Sequence, residues 1–220
     1  MVAIRGLDGR LEPTCLLGDG NVLRRHGLAA EPVASCGVSG ERPPHLPGDR
    51  APADDTARMI RVDQAGEYGA TRIYQGQLSV IRRGRSANAI REMAEQEQRH
   101  LSQFNRLLGD RRVRPTALSP LWHMAGYALG AATALLGERA AMACTVAVEE
   151  VIDGHYASQA ERLDGSDPEL TDTIRAARAD EISHRDTALA HEATEAPGYE
   201  LIAAAIKAGA RLAIWVSERI

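Results

Sequence analysis

The chain has 220 residues, 44% of them hydrophobic and only 4% aromatic, with a net charge of −4. That length supports one well-cored domain with residues to spare, and Ala, Leu, Glu and Arg dominate without strand-like alternation, so an all-helical class is expected. The balance, with no basic run or stacking aromatic series, excludes a nucleic-acid footprint, and three cysteines without zinc spacing (Cys15, Cys36, Cys144) speak for a reducing compartment rather than a disulfide framework.

Residues 1–53 hold six of the ten prolines and eight of the twenty glycines and show no sustained apolar period. They read as a flexible extension to a domain that spans 54–220. Arginines in this stretch suggest a mitochondrial transit peptide, but Asp8, Glu12, Asp19, Glu31, Glu41 and Asp49 oppose that reading, since such peptides are poor in acids. A bacterial protein with an unstructured or mis-started N-terminus is the expectation.

Asp54, Asp55 and Thr56 are placed to cap a first helix that runs to about Arg83 and stops before Gly84. Its inward stripe reads Met59/Ile60, Asp63, Glu67, Ala70, Tyr74, Gln77/Leu78 and Ile81. A carboxylate in mid-stripe is anomalous, because an unpaired buried Glu costs several kcal/mol or keeps its proton. Asp63 reads equally well as inward or as a stripe-edge acid. Ser86 is expected to cap the second helix, with Ile90, Met93, Glu97, His100/Leu101, Phe104 and Leu108 inward and Gly109 beyond its end.

After the basic linker Asp110–Arg114, no formally charged residue occurs from Pro115 to Gly137. The stretch approaches a membrane span in length, but its prolines, glycines and His123 favour a helix lying in the bilayer interface or covering a hydrophobic channel. A buried bundle helix is the plainer alternative. The third bundle helix follows over Glu138–Leu163. Gly165–Pro168 makes a turn, with Asp167 as cap and Pro168 at the first helical position of the fourth. That fourth helix carries Leu170, Ile174, Ala177, Glu181, His184 and Ala188 inward, and His191 reads as a helix-end residue. A last amphipathic, basic helix over Pro197–Ser217 suits packing beside Leu118–Leu136 or an anionic surface.

Two tetrapeptides stand out, Glu97-Gln98-Arg99-His100 and Glu181-Ile182-Ser183-His184. Residues three apart lie one turn apart on one helical face, so each pair can reach a common metal. Glu67 precedes the first by 30 residues and Glu149 precedes the second by 32. Glu149 and Glu150 compete for the second role. Tyr74 and Gln77 lie seven and ten residues after Glu67, and Tyr156 and Gln159 lie seven and ten after Glu149, which selects Glu149 and leaves Glu150 off the face. His155 is likewise off that face and reads as a surface residue.

Four carboxylates and two imidazoles on four helices make the ligand set of di-iron carboxylate bundles, a ferritin-like architecture carrying two extra apolar helices here. Bundle geometry gives Glu97 and Glu181 as bridges, with Glu67 and His100 completing one metal and Glu149 and His184 the other. Carboxylate-rich ligation suits iron or manganese and disfavours zinc. Asp180, Asp63 and Asp153 are candidates to orient the imidazoles, a surface salt bridge being the default for each.

The runs Arg61–Ala70, Arg112–Thr116 and Ala141–Glu150, with the tail Ser217-Glu218-Arg219-Ile220, closely resemble the demethoxyubiquinone hydroxylases of late ubiquinone biosynthesis. The likeness covers about Arg58 to Ile220 and includes all six ligand positions. It implies an enzyme that hydroxylates the bare ring carbon of a demethoxyubiquinol with O2 and reducing equivalents. It implies two iron ions per chain, a polyprenyl quinol substrate and peripheral attachment to a membrane surface, expected on the cytoplasmic face of a bacterial inner membrane or, alternatively, the matrix side of a mitochondrial one. A lipid-binding partner protein and a homo-oligomer are further implications. NADH or another reductant would meet Arg58, Arg211 and Arg219, with Trp215 standing where the family carries a tyrosine. The competing readings are an iron-storage bundle, which shares the six ligands but gains nothing from the apolar helices, and a lipid-carrying subunit of a biosynthetic complex.

Overall fold

A computed structural model describes residues 52–163 and 165–220; the expected flexible extension lies outside them apart from Pro52 and Ala53. The described chain is all-α: α1 (Pro52–Val80), α2 (Arg85–Asp110), α3 (Ser119–Leu135), α4 (Glu138–Leu163), α5 (Pro168–Ala190) and α6 (Tyr199–Ser217), with a 3-10 turn at Ala193–Glu195. α1 pairs with α2 and α4 with α5, and these two hairpins face each other as a four-helix, ferritin-like bundle. The helix after each hairpin returns onto that hairpin's first member, α3 onto α1 and α6 onto α4. The chain is therefore a repeat of one three-helix unit, related by a pseudo-twofold.

Helix boundaries differ from the sequence reading where cap chemistry is concerned. α1 starts at Pro52, so Asp54 and Asp55 fall in its first turn, where acids favour the positive helix end. It stops at Val80, three residues short of the expected end. Gly84, at φ 102°, is the N-cap of α2, a backbone angle open to glycine and not to serine. Ser86 is not the cap; its buried hydroxyl donates to Glu138 Oε2 (2.6 Å) and lies 3.2 Å from His191 Nδ1. α2 also continues through Gly109 to Asp110. Asp167 does cap α5, accepting from the Leu170 amide.

Two apolar layers fill the bundle. One gathers Met59, Ile60, Phe104, Leu107, Tyr156, Leu170 and Ile174. The other gathers Tyr74, Ile81, Ile90, Met93, Met142 and Val146. Between them lies a layer of buried acids and imidazoles. Hydrophobic burial on both sides supplies the stability that such a layer spends.

α3 is seated on α1 by glycines. A Cβ on Gly130 would lie 1.9 Å from the Ile73 carbonyl oxygen, one on Gly76 2.2 Å from the Tyr127 oxygen, and one on Gly126 2.9 Å from the Gly69 oxygen. Backbone meets backbone along this seam, and a methyl group has nowhere to go. Gly130→Ala is expected to cost about 3 kcal/mol and lower the melting temperature by roughly 5–10 °C in a thermal melt.

The outer face of α3 exposes Leu121, Met124, Leu135 and Leu136, and α6 exposes Leu201, Leu212 and Trp215. Among the described residues no helix is long and apolar enough to cross a membrane. α6 does not pack along Leu118–Leu136: it lies on α4, and α3 lies on α1. The two helices instead wall an apolar groove, tied at one end by Trp122 Nε1 donating to Ser217 Oγ at 3.1 Å.

Candidate metal centre

Each hairpin contributes three inward polar residues at the height where the apolar layers part. Glu67 comes from α1, Glu97 and His100 from α2, Glu149 from α4, and Glu181 and His184 from α5. All six are buried. The structure brings them together in two groups, Glu67–Glu97–His100–Glu181 and Glu97–Glu149–Glu181–His184, with one donor atom of each residue lying within 4.8 Å of those of the other members. Glu97 and Glu181 belong to both groups, the pattern of a bridged pair.

Both imidazoles turn Nδ1 inward. His100 Nδ1 is 3.6 Å from Glu67 Oε2 and 3.5 Å from Glu181 Oε1. His184 Nδ1 is 3.0 Å from Glu97 Oε1 and 3.2 Å from Glu181 Oε2. Their Nε2 atoms point out of the cluster, to Asp180 Oδ2 at 2.9 Å from His100 and to Gln96 Oε1 at 2.5 Å from His184. The tyrosines cross between halves: Tyr74 donates to Glu149 Oε1 at 2.7 Å, and Tyr156 donates to Glu67 Oε1.

Electrostatics describe a cluster short of positive charge. Burial raises the proton affinity of Glu97 and Glu149 well above the carboxylate range, and the neighbouring carboxylates raise it further. Burial works against the charged form of His100 too, but the adjacent carboxylates of Glu181 and Glu67 outweigh it and push the imidazole up to about 11. Glu181 is held down at about 2, because the adjacent imidazoles of His100 and His184 overcome the effect of burial. Tyr74 and Tyr156 are raised by burial and by the adjacent carboxylates, so both phenols remain donors.

The residues fit a pair of divalent cations. Glu67 Oε2, both Glu97 oxygens, His100 Nδ1, Glu149 Oε2 and Glu181 Oε1 are buried without a hydrogen-bond partner. Buried polar atoms are ordinarily paired, and six orphans on five side chains converge here on one spot. All are hard oxygen or imidazole donors, which iron and manganese accept.

Of the other residues singled out in the sequence, Asp63 is inward and buried, accepting from Gln159 Nε2 at 2.8 Å. His155 is not a free surface residue: it is half-buried, and its Nε2 lies 3.3 Å from Asp63 Oδ1. The carboxylate four residues before Glu67 draws it in. Asp153 makes an ion pair with Arg178 (2.6 Å) and does not touch either imidazole, whereas Asp180 does. Glu150 points away and pairs with Lys207 of α6. Gln96 was not anticipated. Its signal was present, since it precedes Glu97 as Asp180 precedes Glu181.

Arg58 and Arg219 both meet Glu218. Arg58 pairs with Asp55 and with Glu218 at 2.7 and 2.9 Å. Arg219 stacks on the Trp215 ring at 4.0 Å and lies 3.6 Å from Glu218. Arg211 lines a surface pocket with Trp215, Glu218 and His155.

The groove between α3 and α6 encloses about 480 Å³ and is lined by residues including Gly66, Gly69, Trp122, Val148, Ile206 and Ile214. Its floor is made by α1 and α4, and Gly66 and Val148 stand immediately before Glu67 and Glu149. A Cβ on Gly66 or Gly69 would meet nothing within 4 Å. Absent side chains widen the groove where it nears the cluster of buried acids and imidazoles.

Comparison with known proteins bears on this geometry. The family described as "Ubiquinone biosynthesis protein COQ7" matches residues 54–217. A Rhodospirillum rubrum protein named 3-demethoxyubiquinol 3-hydroxylase is 57% identical over 176 residues, covering 80% of this chain and 83% of that one. The human NADPH-dependent 3-demethoxyubiquinone 3-hydroxylase, mitochondrial, is 51% identical over 167 residues, or 74% of this chain and 77% of its own. A Saccharomyces cerevisiae 5-demethoxyubiquinone hydroxylase, mitochondrial, is 43% identical over 201 residues, 82% and 86% of the two chains.

Proposed function

The chain belongs to the ubiquinone biosynthesis protein COQ7 family, and on that footing we propose that it is an O2-dependent di-iron monooxygenase that hydroxylates the ring of a demethoxyubiquinol. The observation that carries the reading is the convergence of orphaned buried donor atoms beneath an apolar groove. Glu67 and His100 would hold one iron, Glu149 and His184 the other, with Glu97 and Glu181 shared between them. When bound, the pair supplies the oxygen activation and redox chemistry that no side chain here possesses.

The protein's own part is positional. Tyr74 and Tyr156 fix the terminal carboxylates of Glu149 and Glu67 by donated hydrogen bonds, leaving one oxygen of each free to ligate. Asp180 and Gln96 hold the proton on Nε2 of each imidazole and so keep Nδ1 available as a ligand. The groove takes an apolar quinol, with Gly66 and Gly69 giving its ring the approach to the α1 side of the site. Walls of Trp122, Ile206 and Ile214 exclude water from that approach.

The exposed Leu and Met of α3 and the Leu and Trp of α6 flank the groove, which supports peripheral attachment to the membrane that holds a polyprenyl substrate. The cytoplasmic face of a bacterial inner membrane is the favoured location, and the matrix face of a mitochondrial inner membrane is the alternative. Reduced nicotinamide would approach at the Arg211–Trp215–Glu218 pocket, where Arg58 and Arg219 lie beside Glu218.

Purified protein loaded anaerobically with ferrous iron, then given a reductant, O2 and a demethoxyubiquinol, is expected to yield the ring-hydroxylated quinol at two irons per chain. Iron uptake far beyond two per chain with no hydroxylated product would instead identify a storage bundle.

A further inference from the structure

The pseudo-twofold that places the ligands also relates their supports, and the pair of positions beside the shared glutamates is where the two halves differ next to the imidazoles. Tyr74 serves Glu149 as Tyr156 serves Glu67. The residue before each shared glutamate holds the imidazole of the opposite half, but one of the two is Asp180 and the other Gln96. Asp180 faces His100 Nε2 with a carboxylate, and Gln96 faces His184 Nε2 with a neutral amide oxygen. Hydrogen bonding to a carboxylate draws an imidazole toward imidazolate and makes it a stronger donor to a metal; an amide does so less. One further break in the symmetry is Asp63, four residues before Glu67, where Thr145 stands four before Glu149. His155 lies 3.3 Å from Asp63 and answers that charge locally. Among the described residues the carboxylate of Asp180 pairs with His100 alone.

We propose that the two metal positions are unequal, the position held by Glu67 and His100 binding its iron more tightly and being harder to reduce, with Asp180 and Gln96 as the positioning residues that set the difference. The inference rests on the di-iron reading of the same site and adds to it an order of loading and an order of reduction. Asp180 is nearly half exposed, so solvent screens its charge in part, but the hydrogen bond transmits it directly to the ring.

The test is anaerobic titration of the metal-free protein with ferrous iron, followed by calorimetry, together with Mössbauer spectra of the iron-57 form. Wild-type protein is expected to bind iron in two steps at least about tenfold apart and to show two distinct quadrupole doublets. Asp180→Asn should weaken the tighter step by about 10–100-fold and draw the doublets together. Gln96→Glu should strengthen the weaker step and do the same from the other side. Both positions are only partly buried, and unchanged helical circular dichroism checks the fold of each variant. Equal steps in the wild type, or two variants that leave both steps and both doublets unmoved, would overturn the inference while leaving the di-iron site standing. Failure of the wild type to bind iron at all would sink the metal reading itself.

Discussion

Replacing Glu97 with glutamine is expected to abolish hydroxylation while making the metal-free protein more stable. The two effects have one cause. Glu97 is fully buried, neither of its oxygens has a hydrogen-bond partner, and burial together with Glu181, Glu67 and Glu149 raises its proton affinity. The sign follows from that direction. A carboxyl whose folded pKa lies above its unfolded value contributes stability below the unfolded pKa and loses it as pH rises through the folded one. At neutral pH and above, the metal-free wild type therefore carries a strained acid that glutamine relieves. The variant should melt higher without metal, most clearly at alkaline pH, and the gap should shrink toward pH 4. With metal the order reverses. Ferrous iron at a hundredfold its dissociation constant should stabilise the wild type by about 2.7 kcal/mol, and the variant, having lost a shared ligand, by much less. A fall of more than about a thousandfold in kcat/KM, equal to about 4 kcal/mol, is the kinetic counterpart. Melting curves with and without iron over pH 4–9, beside a turnover assay, check both signs. A metal-free variant less stable than wild type would show that Glu97 is a structural acid.

Gly69→Leu is expected to do the opposite: keep the metal and lose the substrate. Gly69 lines the groove, and a Cβ at this position meets nothing within 4 Å. Glycine in the middle of α1 costs about 1 kcal/mol relative to a good helix former, so the variant should be as stable as wild type or slightly more so. The isobutyl group takes up part of the roughly 480 Å³ that the quinol ring needs. A drop of about a hundredfold in kcat/KM for demethoxyubiquinol is expected, with iron content and melting temperature preserved. Unchanged kcat/KM would show that the substrate reaches the site by another route.

The clustering of the buried acids and imidazoles was legible because their spacing is a property of helices. A Glu and a His three residues apart must share a face, and the second copy excludes coincidence. The register of Tyr and Gln after Glu67 and Glu149 was legible for the same reason, and it pointed Glu150 outward to Lys207. What the spacing hid was contact between halves. Gln96 reaching His184 and His155 reaching Asp63 depend on how two hairpins meet, which no period within one helix encodes. The Ser86 cap failed because a glycine two residues earlier has backbone freedom that serine lacks, and the serine hydroxyl finds stronger partners in Glu138 and His191. The course of α6 was hidden too: its apolar stripe could be covered by α3, by α4 or by lipid, and hydrophobic patterning cannot name the partner.

The glycine seam between α1 and α3 has a consequence for where the protein can work. Contacts of that kind draw on close dispersion between backbones rather than on the expulsion of water. A helix held mainly by the hydrophobic effect loosens when its outer side passes from water into hydrocarbon, because the medium no longer penalises separation. The α1–α3 joint, with Gly76, Gly126 and Gly130 at contact distance, is indifferent to that change of solvent. One wall of the groove can thus be wetted by acyl chains or detergent and keep its place.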